Sequence, residues 1–169
     1  LSGSQFPGVD FSGASFIGAD LIETNLKGTN LTRADLSGAC GHGMSLWEAN
    51  LSGANLYRVS FQGADLSRAN FSGANLYEAD LFGTWLHRAN FTGANLARAN
   101  LSETNLSKVN FTGANLYETN LSDAWLNEAA LTGANLHRAR YWRANNISKE
   151  DQKFIIDCLK GSWDESCSL

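Results

Sequence analysis

Cys40 and His42 stand two residues apart in the segment Cys40-Gly41-His42-Gly43-Met44, and both are metal-ligand types. A protein zinc site takes three or four ligands. No second pair at zinc spacing occurs in the sequence, so this segment reads as a structural irregularity and not as a metal site. His87 and His137 are the other imidazoles. A Ser or Cys nucleophile needs such a base, and an orienting group, held together in a cleft. The glycines follow a five-residue spacing that lacks the pattern of a phosphate-cradling loop. The expectation is a protein that is not an enzyme and carries no cofactor or metal. What remains is recognition chemistry. Trp47, Trp85, Trp125, Tyr57, Tyr77 and Tyr117, with His87 and the cations Arg68, Arg88 and Lys108, are the residue types that anchor protein interfaces. The competing reading is an ordinary β-surface on which outward aromatics stack across strands.

These residues are positioned by a repeat. Large apolar side chains recur every five residues from Leu1 to Tyr141, giving 29 units, and only Gly41 lacks one at the central position. Two residues before each centre stands a small residue, with Met44 the one bulky exception. The residue just before the centre is mostly Asn or Asp. Period five spreads Leu around a helix instead of forming one stripe. It would also flip the faces of a flat strand at every repeat. A chain that turns a corner at each unit satisfies the pattern: the centre and the small residue point inward, and the other three positions face water. Met44 is then expected to fill the space left at Gly41, since an unbranched side chain suits irregular gaps.

Every twentieth residue is alike. Ser12, Thr32, Ser52, Ser72, Thr92, Thr112 and Thr132 form a hydroxyl column, and Arg58, Glu78, Arg98, Glu118 and Arg138 alternate in charge. Four units therefore make one coil. Tyr57, Tyr77 and Tyr117 fall on one face with the Arg/Glu column. Trp85 and Trp125 share another column, near Arg68, Arg88, Lys108, Trp47 and His87. Coils stacked ~4.8 Å apart give seven coils in roughly 34 Å. The 169 residues are 43% hydrophobic and 18% charged with net charge −4, which excludes a disordered acidic tail. No apolar run approaches bilayer length.

Residues 1–145 resemble the pentapeptide-repeat family. The resemblance implies an all-β solenoid, a right-handed four-sided β-helix, and for most such members no established activity. The family is common in cyanobacteria and chloroplasts. The reading that follows is a non-catalytic structural or protein-interaction module with a protein partner. The family also contains mimics of duplex DNA that protect DNA gyrase. Such a mimic about 34 Å long would want roughly 20 negative charges, whereas residues 1–145 hold 12 acidic and 10 basic side chains. Charge therefore disfavours mimicry, and direct nucleic-acid binding is disfavoured with it. The open ends of the rod would permit end-to-end self-association.

Residues 146–169 depart from the repeat and are expected to cap the rod. Ser148 and Asp151 resemble a capping box, and Phe154, Ile155, Cys158 and Leu159 form an apolar stripe, which predicts a helix over 148–160. Cys158 and Cys167 could close a disulfide loop of about ten residues; the alternative is two reduced thiols. A bonded pair would place the protein in a thylakoid lumen or periplasm, and free thiols in a cytoplasm. The sequence begins on Leu1, so an upstream segment is expected to have been removed and any targeting signal goes unread.

Overall fold

The computed structural model describes residues 1–145. The expected capping helix, the Cys158–Cys167 pair and the separate 146–169 unit lie outside them.

Each five-residue unit closes a tight turn. In every unit but that of Thr104 the N–H at the small position donates to the carbonyl of the preceding centre, as in Ala54 to Leu51 and Ala74 to Phe71, both at 3.0 Å. The residue two after each centre has positive φ, the signature of the third residue of a type II turn. Fourteen of these corners carry Gly. The other fifteen all carry a charged residue, with φ between 54° and 61°, from Glu23 to Arg143. Gly enters the left-handed region without steric cost, whereas these residues do not. Most charge in the described coils thus stands on the corners, held outward by the backbone.

Between corners, one residue per unit pairs in parallel with the residue twenty positions on, from Gln5 with Asn25 to Trp125 with Asn145. The 20-residue coil is therefore the observed one. A representative set of bonds runs Leu56 N to Asn75 O at 2.7 Å and Asn75 N to Ala54 O at 3.0 Å. The pitch shows directly in the core: the rings of Phe71 and Phe91 stack at 4.8 Å with 5° between planes.

The core is dry and narrow. Leu36, Leu56, Leu76, Leu96 and Leu116 are fully buried in one column, with Ala two positions before each centre letting opposed backbones approach. Thr24, Thr29, Thr84, Thr104 and Thr119 take the small position in five units. Their hydroxyls donate to backbone carbonyls, as Thr84 to Leu81 at 2.8 Å, so no buried polar side-chain atom among the described residues is left without a partner. Met44 is buried against Gly41 as expected.

The Asn position departs from the expectation of a water-facing residue. Asn55, Asn75, Asn95 and Asn115 are half-buried and form an amide ladder. Each Nδ2 donates to the Oδ1 one coil earlier, at 3.1 to 3.3 Å for Asn75, Asn95, Asn115 and Asn135. Each Oδ1 also accepts from the backbone N–H two residues on, as Asn75 does from Tyr77 at 3.3 Å. Asp10, Asp35 and Asp80 occupy the first rung of their ladders, accepting from Asn30, Asn55 and Asn100 at 3.0 to 3.1 Å. An ionised carboxylate only accepts, and none of the three has a side-chain amide one coil earlier: Asp35 follows Ser15 and Asp80 follows Ser60.

Candidate interaction surface

The tyrosine face is satisfied within itself. Arg58 Nε lies 2.7 Å from Glu78, Arg98 Nε 3.0 Å from Glu118, and Arg138 3.4 Å from Glu118. The five charges form one ladder, as the period-20 spacing predicts. Tyr57 and Tyr77 stack at 6.1 Å, and Arg98 donates to the Tyr77 hydroxyl at 3.0 Å. Arg138 reaches the Tyr117 hydroxyl at 3.3 Å, and Tyr117 packs on His137 at 5.5 Å. The Arg58 hydrogen bond holds the Glu78 carboxyl below its ordinary value, and a Tyr117 hydrogen bond leads the same effect on Glu118. This face fits the reading of a β-surface whose aromatics serve stacking.

The tryptophan face divides in two. Trp47 is half-buried, with Lys27 Nζ 4.1 Å from its ring centroid and the Arg68 guanidinium at 5.6 Å on the next coil. Its π-faces are already occupied by cations. The adjoining corner is less basic than Arg68, Arg88 and Lys108 alone suggested. It runs Glu48, Arg68, Arg88, Lys108, Glu128, with Arg68 on Glu48 at 3.0 Å and Lys108 on Glu128 at 3.4 Å. Only Arg88 of the three makes no ion pair among the described residues. His87 is half-buried beside it.

Trp85 and Trp125 differ from every other aromatic discussed. They are 64% and 57% exposed, and no ring or cation among the described residues stacks on either. They share one column, Asp65–Trp85–Asn105–Trp125, so Asn105 separates them. Trp85, Trp125, Asn105, Gly83 and Glu103 line a cleft of about 370 Å³. Sequence reasoning found the two indoles but not Glu103 or Asn105. The available signal was Trp standing twice in a column position otherwise rich in Asn and Asp.

Cys40 is half-buried and unbonded, and His42 Nε2 lies 2.8 Å from Ser60 Oγ. Among the described residues no group of three or more His, Cys, Asp and Glu is placed to hold a metal. Among the same residues no helix is long and apolar enough to cross a membrane.

The repeat geometry agrees with comparison to known families. The family described as Pentapeptide repeats matches in eight copies over 10–40, 42–73, 74–113 and 114–145. The chain belongs to the pentapeptide-repeat family. Its solenoid is accordingly a right-handed β-helix. Among solved structures, this pentapeptide-repeat chain is similar to HetL, a protein involved in heterocyst differentiation regulation from the cyanobacterium Nostoc sp. strain PCC 7120. Identity is 34% with a TM-score of 0.59, covering 85% of this chain but 64% of that one, so the chain spans just under two-thirds of HetL. It is also similar to a pentapeptide repeat protein from the Arabidopsis thaliana thylakoid lumen, with 28% identity, TM-score 0.56, and 57% and 68% of the two chains covered. QnrB1, a plasmid-mediated fluoroquinolone resistance protein, shares the fold at 18% identity and TM-score 0.58, covering 97% of this chain and 100% of that one. No curated protein sequence matches the chain.

Proposed function

We propose that this pentapeptide-repeat rod is a non-catalytic protein-interaction module that docks a partner through the face bearing Trp85 and Trp125. The observation that carries the reading is the pair of exposed, unstacked indoles in one column of a surface on which Trp47, Tyr57, Tyr77 and Tyr117 are each stacked or covered by a cation. A prearranged face loses little freedom on binding, and Trp is a frequent interface anchor. Arg88, without an ion pair on the neighbouring corner, supplies a charged contact beside it. The likeness to HetL and to the thylakoid-lumen protein supports a role of this general kind in a cyanobacterial or plastid setting. The compartment is proposed as a thylakoid lumen or periplasm if Cys158 and Cys167 are bonded, and a cytoplasm otherwise; non-reducing peptide mapping separates the two.

Gyrase protection by DNA mimicry is the weaker reading. QnrB1 contributes the fold alone. The acids Glu48, Glu78, Glu118, Asp123 and Glu128 each face a cation within 4 Å, which leaves no continuous acidic stripe.

The test is affinity capture on the immobilised full chain from an extract of the source organism, beside a gyrase supercoiling assay. Capture of one defined protein by the native chain, lost with Trp85→Ser/Trp125→Ser, is the expected result. Capture that ignores both tryptophans, or supercoiling inhibition at low protein concentration, would overturn it.

A further inference from the structure

The cleft between Trp85 and Trp125 has a chemistry of its own. The two residues pair on strands either side of Asn105, so their backbones stand ~9.6 Å apart, twice the strand spacing. Indole cannot continue the amide ladder. In the ladders of Asn55 to Asn135 and of Asp80 to Asn120 the Nδ2 of one rung donates to the Oδ1 of the rung before. Trp85 offers Asn105 no acceptor, and the one donor of the Trp125 side chain, its indole N–H, makes no hydrogen bond to Asn105 among the described residues. Asn105 Oδ1 accepts from the Ser107 N–H at 3.1 Å, which fixes the amide and leaves one lone pair open. Its Nδ2 donates to nothing among the described residues. Trp on both sides thus leaves a gap whose floor carries an amide Nδ2 without a partner among the described residues and an Oδ1 with one acceptor site open.

The border of the gap is acidic. Glu103 stands on the corner beside Asn105, with φ of 57° fixing the direction of its Cα–Cβ bond. Its column reads Gly83, Glu103, Asp123, Arg143. Arg143 lies 3.8 Å from Asp123, while Glu103 makes no ion pair among the described residues. Gly83, one coil earlier, adds no side chain to obstruct the approach. No cation lines the cleft.

We propose that this cleft is a socket for an arginine side chain of the partner protein. A planar guanidinium slides between the two indoles, stacks on their faces, and directs its N–H fork at the Glu103 carboxylate and the open lone pair of Asn105 Oδ1. Arginine meets each feature: it is always charged, flat, apolar along its stem and rich in donors, whereas lysine offers a point charge with no flat face. The inference rests on the reading of this face as a protein-docking surface and names the group that the surface takes.

The test uses the full chain, labelled with nitrogen-15, titrated with N-acetyl-arginine methylamide and with its neutral isostere, N-acetyl-citrulline methylamide. The signals followed are the indole N–H groups of Trp85 and Trp125 and the side-chain amide of Asn105, with the Trp47 indole as internal reference. The expected result is a saturable shift of the first three with the arginine compound. Binding should be at least about fivefold weaker for citrulline and for the arginine compound with Glu103→Gln. Preserved dispersion of the backbone amides shows that the variant is folded. Equal response to both compounds, a response unaffected by Glu103→Gln, or no saturable shift at Trp85 and Trp125 overturns the proposal. If the indoles ignore arginine while partner capture still depends on them, the socket fails and the docking surface stands. If arginine binds but no partner is captured, the docking surface fails instead.

Discussion

Met44 occupies the space that a side chain on Gly41 would need. A Cβ placed on Gly41 would collide with the Met44 sulfur and stand 3.0 Å from Cδ1 of Phe61. The two departures from the repeat therefore compensate each other: the centre loses its large residue, and the small position three residues on supplies it.

Met44→Ala should lower stability by ~2–5 kcal/mol, as other large-to-small changes in tight cores do. Gly41→Leu alone should also destabilise, through overpacking. Combining them restores the regular unit, so the double variant should be more stable than either single one. Urea unfolding followed by circular dichroism measures all three; additive losses would show that the two positions are not coupled.

The ladder rungs predict an asymmetry between Asn and Asp. Asn75→Asp removes the donor to Asn55 and sets two acceptors face to face, and should cost ~1–3 kcal/mol. Asp35→Asn, on a first rung, keeps the acceptor for Asn55 and should cost less. Denaturant midpoints of the two variants give the comparison directly.

The same first rungs give the rod an acid limit. Hydrogen bonds from the Ser37 hydroxyl and N–H hold Asp35 below its ordinary value of 3.8, and the Ser12 N–H leads the same effect at Asp10. A carboxyl whose folded value is depressed stabilises the fold above the unfolded value and loses that contribution as pH falls through the folded one. Thermal midpoints should therefore hold steady above about pH 4 and fall below it. Asp35→Asn should flatten part of that fall.

The corner backbone predicts opposite effects from two substitutions at Arg33, whose φ is 56° and which makes no ion pair among the described residues. Arg33→Gly relieves a left-handed strain of ~1–2 kcal/mol and restores ~0.5–1 kcal/mol of chain entropy to the unfolded state, so a small net gain is expected. Arg33→Val places a β-branched residue in that region and should destabilise. Thermal melts of the pair decide it; a loss with Gly would contradict the turn assignment.

Much of this molecule was legible in one dimension because its contacts repeat at a fixed interval. The five-residue spacing of Leu56, Phe61, Leu66 and their like determined the inward faces, and the period-20 hydroxyl column from Ser12 to Thr132 with the alternating charges from Arg58 to Arg138 determined the coil length. The exchange between Gly41 and Met44 was readable because a core too narrow for water must be filled. Partnership decided the rest. The acceptor that an Asn amide finds depends on the rung before it, so Asn75 read as a surface residue until the stacked coil supplied Asn55. Glu48 and Glu128 neutralise two of three neighbouring cations only because turns hold them one coil away. The same principle separates the aromatics: Trp47 lies between Lys27 and Arg68, whereas Trp85 and Trp125 face a gap over Asn105. Residue type fixed what each side chain could bind, and the three-dimensional neighbours fixed which of them were left free to bind it.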